Sequence, residues 1–192
     1  MKKVLGPGIL GGLLVFFWSA FAHMVLPLGE IGLKTIPNNE DAVLNAMKSN
    51  IQQSGLYILP GYDMSRKQTE AEEAAFQAKY EAGPTAFLVY HPTGVKTISP
   101  WALVRQLFFN ILCGLIAAFI ISKTVASLAA RGAMVALMGL FAWAEVNLPY
   151  WNWYRFPGDF TLGAGLDTVI AWLLGGFLIA WLIHRAEKKA AV

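Results

Sequence analysis

The chain has 192 residues, of which 56% are hydrophobic and only 14% charged, whereas soluble domains are about half apolar and a quarter charged. Its formal charge of +3 is not gathered into a basic stripe interleaved with aromatics, which argues against a nucleic acid partner. The single cysteine, Cys113, lies inside an apolar run, so neither an internal disulfide nor a CxxC redox pair can form.

The apolar residues cluster in four runs: Val4 to Ala22, Leu103 to Ser122, Ala133 to Leu148 and Gly163 to Ile183. Each meets or approaches the roughly 20 residues that a helix needs to cross a hydrocarbon layer about 30 Å thick. The runs are continuous and do not alternate in polarity, so they predict helices rather than barrel strands. The first, within residues 1–23, follows Lys2 and Lys3 and ends in Ala20-Phe21-Ala22, which also fits a signal peptide with an A-x-A cleavage site. Gly8 and Gly12 form a small-xxx-small pair suited to close helix contact, and the expectation is a retained anchor.

Residues 24–100 read as a small α/β unit in the order helix, strand, helix, strand. Asn38-Asn39 before Glu40-Asp41 places a side-chain cap ahead of acids at the positive end of a helix dipole, and Val43, Leu44, Met47 and Ile51 recur at helical spacing. Leu56-Tyr57-Ile58-Leu59 is a short strand stopped by Pro60-Gly61. Thr69 with Glu72 forms a capping-box pattern opening a helix that runs to Gly83-Pro84, and Ala86 to Tyr90 is the second strand. A unit this small buries little surface alone and is expected to pack against membrane helices or a partner. His91, before a proline turn, reads as a surface hydrogen-bonding residue rather than a ligand.

Residues 101–192 contain the remaining spans, at about 103–122, 132–148 and 163–183. Lys2 and Lys3, then Lys123 and Arg131, then Arg185, Lys188 and Lys189 all fall on one side of a four-helix topology. By the positive-inside rule that side is cytoplasmic, which places both termini there and residues 24–100 outside. Trp18, Trp101, Trp143, Trp151 and Trp153, with Tyr150 and Tyr154, gather at the opposite ends as an interfacial belt.

Ionisable and amide side chains within spans are costly and mark function or assembly. Arg105, Glu145 and Asp167 fall at similar depth, because alternate helices run in opposite directions. Asp167 shares a stripe with Ala164, Ala171 and Gly175, and Gln106 shares one with Asn110, Cys113, Gly114 and Ala117. The expected site is therefore a polar cluster of Arg105, Gln106, Asn110, Glu145, Asn147 and Asp167, which is structural, a binding or ion-permeation site, or a contact to another subunit. The link Pro149–Leu162, with Trp151, Trp153, Tyr154, Arg155 and Asp159, reads as an interfacial loop that anchors, caps the cluster or docks a partner. His23 and His184 lie at opposite ends of their spans and cannot share one iron. CxxCH, HExxH, P-loop and Rossmann patterns are missing, so no cofactor or metal is expected.

The segments Ser54-Gly55-Leu56-Tyr57, Gly83-Pro84-Thr85, Tyr90-His91-Pro92-Thr93-Gly94 and Trp153-Tyr154-Arg155-Phe156-Pro157 resemble those of an uncharacterised bacterial family of four-helix inner-membrane proteins. The resemblance implies a bacterial inner-membrane location and supplies no activity. The leading expectation is a non-enzymatic subunit or accessory factor of a membrane complex, partnered by the lipid bilayer and by another membrane protein or a second copy. The alternatives are a small-solute or ion carrier using the polar cluster, and a membrane-embedded enzyme acting on lipid or quinone with Glu145 or Asp167 moving a proton.

Overall fold

A computed structural model of the chain describes residues 2–190; residues 1, 191 and 192, at the ends of the expected segments 1–23 and 101–192, lie outside the described residues. The elements are α1 (Lys2–Met24), a 3-10 turn (Pro27–Glu30), α2 (Glu40–Asn50), β1 (Gly55–Leu59), α3 (Glu70–Ala82), β2 (Ala86–Tyr90), α4 (Pro100–Ser122), α5 (Leu128–Tyr154) and α6 (Gly158–Ala190). Four of them, α1, α4, α5 and α6, are long and apolar enough to cross a membrane.

Two of these helices run past the expected bounds of 132–148 and 163–183. Pro149 lies inside α5, and the helix continues beyond it to Tyr154. Proline disrupts a helix by removing one N–H and crowding the carbonyl four residues back, but here the aromatic residues beyond it keep helical geometry. Arg155 closes the helix in the left-handed region at φ 59, with its N–H donating to the Tyr150 carbonyl. The interfacial loop is therefore not a loop. Trp151, Trp153 and Tyr154 belong to the last turns of α5, Asp159 belongs to the first turn of α6, and only residues 155–157 connect them. The Phe156 ring spans the corner, 5.2 Å from Tyr150 and 5.7 Å from Phe160.

The chain divides into a helical unit, residues 1–34 with 98–192, and a second unit of residues 35–97. Gly32, at φ +78, turns the chain so closely against Phe160 that a Cβ would sit 2.5 Å from the Phe160 amide nitrogen. Ile31 fills the space left by Gly163 on α6 in the same way. These two contacts tie the segment after α1 to the helices.

Within the helical unit α6 packs along both α1 and α5, and α4 packs mainly along α1, touching α5 little. Lipid chains are as apolar as leucine, so close backbone approach rather than water exclusion drives such packing. A Cβ on Gly12 would lie 2.5 Å from Ile111 Cα and 2.6 Å from the Asn110 carbonyl, so α1 and α4 meet nearly backbone to backbone. Ile121, Val135, Ile179 and Ile183 are fully buried in one apolar cluster.

Arg131, expected in the link between two spans, is instead 5% exposed within α5. Its Nη1 donates to Glu187 Oε2 at 2.7 Å, and its Nη2 donates to Glu187 Oε1 at 3.1 Å and to the Thr124 carbonyl at 2.7 Å. One guanidinium therefore ties α5, α6 and the link that follows α4 together. A cation at a helix start opposes the dipole, and the forked carboxylate offsets that cost.

In the 35–97 unit Asn39 Oδ1 accepts from the Ala42 N–H, and Thr69 with Glu72 forms a reciprocal capping box. β1 and β2 pair antiparallel, Gly55 opposite Tyr90 through Leu59 opposite Ala86, with α3 between them in sequence. The two-residue alternation puts Leu56, Ile58, Phe87 and Val89 on one face. Leu56, Ile58 and Val89 are exposed, and α2 and α3 bury no residue. Pro60 is the one buried residue of the unit.

Two outcomes follow from these contacts. Glu187→Ala leaves the Arg131 charge with the Thr124 carbonyl alone, and because Glu187 is partly exposed it should cost about 2 kcal/mol, read as a lower unfolding temperature in detergent. In the second unit the Arg66 guanidinium, followed by the Thr69 amide and hydroxyl, holds the Glu72 carboxyl down from 4.5 to about 2. A lowered carboxyl stabilises the folded form above its unfolded value, so this contribution is full above pH 4.5 and is lost as pH falls towards 2. Circular dichroism of the full chain should show helix loss across that window, and the acid step should shrink in Glu72→Gln.

Candidate functional site

A groove of about 600 Å³ opens between α1, α4 and α6, within the volume range typical of small-molecule sites. Phe16, Leu103, Ala171 and Trp172 supply apolar walls, while His23, Gln106, Asn110 and Asp167 bring the polar groups. It exists because glycine contacts draw α1 against both neighbours further along. Gly12 meets Ile111 on α4, and Gly175 on α6 is filled by Val15.

Asp167 organises the polar part. Its Oδ1 accepts from Trp18 Nε1 at 2.8 Å, and its Oδ2 lies 3.2 Å from His23 Nε2. Both partners come from α1, so the carboxylate fastens α6 to α1. The Asp167 side chain is 17% exposed and the His23 side chain 53% exposed, which puts the imidazole at the mouth of the groove. Behind the ring, the 3-10 turn approaches so closely that a Cβ on Gly29 would collide with His23 Nδ1. The imidazole is thus seated between a carboxylate and a glycine turn, which limits its orientation.

On α4, one helical turn separates Gln106 from Asn110, and Gln106 Nε2 donates to Asn110 Oδ1 at 3.0 Å. Asn110 is 8% exposed, and its Nδ2 has no hydrogen-bond partner among the described residues. Thr168, also on the groove, is satisfied internally through its hydroxyl, which donates to the Ala164 carbonyl at 2.8 Å.

Of the six residues expected to cluster, the structure brings Gln106, Asn110 and Asp167 to one groove. It separates the other three. Asn147 Nδ2 donates to the Trp143 carbonyl on its own helix at 3.1 Å. Glu145 is exposed on α5 and makes no hydrogen bond or ion pair among the described residues. Arg105 is exposed on α4 and likewise unpaired. The physical reason is helix order: α4 packs on α1, not on α5, so residues at equal depth on those two helices do not face each other. Trp18 and His23 are the members that sequence reading missed. Their depth near the end of α1 matches that of Asp167, but an aromatic near a helix end equally suits interfacial anchoring.

Among the described residues no group of three His, Cys, Asp or Glu side chains is placed to hold a metal ion. The arrangement can bind through hydrogen bonds.

Replacing Asp167 tests the hinge of this site. Asp167→Ala leaves the half-buried Trp18 N–H without an acceptor and should cost about 1–3 kcal/mol, whereas Asp167→Asn retains an oxygen for Trp18 and should keep most of that stability. Equal unfolding temperatures for the two variants in detergent would show that the Trp18 bond contributes nothing. Comparison with protein-family models, with curated proteins and with solved structures finds no match to this chain.

Proposed function

We propose that this protein is a non-enzymatic subunit or accessory factor of a membrane complex, embedded by four helices. The observation that carries the reading is the absence of a core in the 35–97 unit, where Pro60 is the one buried residue although both strands are rich in apolar side chains. A 60-residue domain is marginal even with a normal core. A unit that exposes Leu56, Ile58 and Val89 gains its missing burial from a partner surface.

The membrane helices support the same reading. Glu145 lies about 13 Å before the end of α5, inside the apolar stretch, exposed and unpaired. Arg105 is exposed on α4 near that end of the bundle. Unpaired charges facing hydrocarbon are expensive, and a neighbouring subunit offering the opposite charge relieves the cost. The charge distribution in the links supports an orientation with both termini in the cytoplasm and residues 35–97 outside it. The sequence resemblance noted above supports a bacterial inner membrane. A solute or ion carrier is disfavoured, because Ile121, Val135, Ile179 and Ile183 pack as one fully buried apolar cluster within the bundle.

Limited trypsin digestion separates the outcomes at Arg66 and Lys67. In native membranes the partner should shield this stretch, and after detergent extraction it should be cut rapidly. Equal cleavage in both states, or cooperative unfolding of an isolated 35–97 fragment, would refute the need for a partner.

A further inference from the structure

We propose that two copies of this chain associate through the α4–α5 side of the helical unit, Arg105 of each pairing with Glu145 of the other. The inference rests on the reading of the protein as one subunit of a membrane complex, and it names the neighbour on this side as a second copy.

The first support is that the two charges share a height and find no partner at it. Arg105 lies 17 residues before Ser122, the end of α4, and Glu145 lies 17 residues after Leu128, the start of α5. At the helical rise both stand about 26 Å from those ends. The ends themselves are held together, because only residues 123–127 join them and the Arg131 guanidinium reaches back to the Thr124 carbonyl. Yet both residues are exposed, and neither makes an ion pair or hydrogen bond among the described residues.

The second support is that both charges border one side of the unit. A groove of about 260 Å³ runs between α4 and α5, with Cys113 and Ile116 on one wall and Met138 and Ala142 on the other. Residues three or four apart share a helix face. Arg105, Phe109, Leu112 and Ile116 therefore form one row of α4, and Met138, Ala142 and Glu145 form one row of α5. Because α4 packs mainly on α1, and α5 on α6, these rows have little protein to cover them. Phe109 and Leu112 on the first row, and Phe141 beside the second, are exposed, so the surface around the charges is apolar.

Charge complementarity selects the occupant. Copies inserted in the same direction can pair about a two-fold axis along the membrane normal, which preserves height. That rotation brings Arg105 of one copy to the level of Glu145 of the other, and both pairs form at once. Any other partner would have to present an anion and a cation in the same arrangement, which this chain already carries. A lone ion facing hydrocarbon is costly, and an arginine–carboxylate pair relieves both charges together.

The test uses the full chain, tagged with a donor or an acceptor fluorophore at its C-terminus, in phosphatidylcholine vesicles, with energy transfer followed as lipid is added. The parent chains should associate above the random level. Arg105→Glu places two acids in each pair and Glu145→Arg two cations, so each variant alone should need at least about tenfold more protein per lipid to associate. Mixed one to one, the two variants offer each other opposite charges at both positions and should associate like the parent. That rescue separates a pair between chains from a pair within one chain and from misfolding, neither of which mixing repairs. The proposal is overturned if the parent chains do not associate, if the single variants associate like the parent, or if mixing restores nothing. Crosslinking in native membranes from a photoreactive group in place of Phe109 keeps the two readings apart. Capture of a different protein and no second copy overturns this inference and leaves membership of a complex intact, whereas capture of no protein at all, there or from residues 35–97, overturns both.

Discussion

Hydrocarbon supplies no hydrogen bonds, so a polar group within a span must find its partner in protein or in something bound to it. That constraint orders most of this molecule. At one end of the bundle Arg131 is held by Glu187 and the Thr124 carbonyl, and one guanidinium joins α5, α6 and the link that follows α4. Toward the other end Asp167 takes the Trp18 indole and the His23 imidazole, and α6 is fastened to α1. Both are charged anchors placed where apolar contact alone specifies little, because leucine against leucine and leucine against lipid are nearly equivalent.

The exceptions to the constraint are as informative as the pairs. Asn110 Nδ2 and Arg131 Nε are buried donors with no partner, and Glu145 faces outward with none, among the described residues. The first kind is sealed inside the helical unit, and the second lies at its surface, where the proposed neighbouring subunit would meet it. The 35–97 unit poses the same question for apolar surface, since its hydrogen-bonded strands and capped helices enclose only Pro60. Local rules are satisfied there while burial is not, and the proposed docking to a partner would supply the missing burial.

Glycine decides where the groove can exist. At Gly12 the backbones of α1 and α4 approach so closely that no side chain fits, and Val15 packs where Gly175 leaves room on α6. Beside this crossing Phe16, Trp172 and Leu103 line the groove. The close contact and the opening beside it are two consequences of one pattern of small and large residues.

The four spans, the caps at Asn39 and Thr69 and both strands were legible in the chain because each depends on neighbours within a few residues: runs of apolar side chains, a cap three positions from its amide, alternation along a strand. The depth of Asp167, Gln106 and Asn110 was legible for the same reason, since helical rise converts position into height. Which of those residues face one another was not. That depends on which helices are neighbours, and the interfaces here are built from glycines that carry no distinguishing chemistry along the sequence. Only the tertiary arrangement puts α1 beside both α4 and α6, so it alone brings in Trp18 and His23 and leaves Glu145 outside. The continuation of α5 through Pro149 was hidden likewise, because proline predicts a stop wherever the residues beyond it have no reason to stay helical.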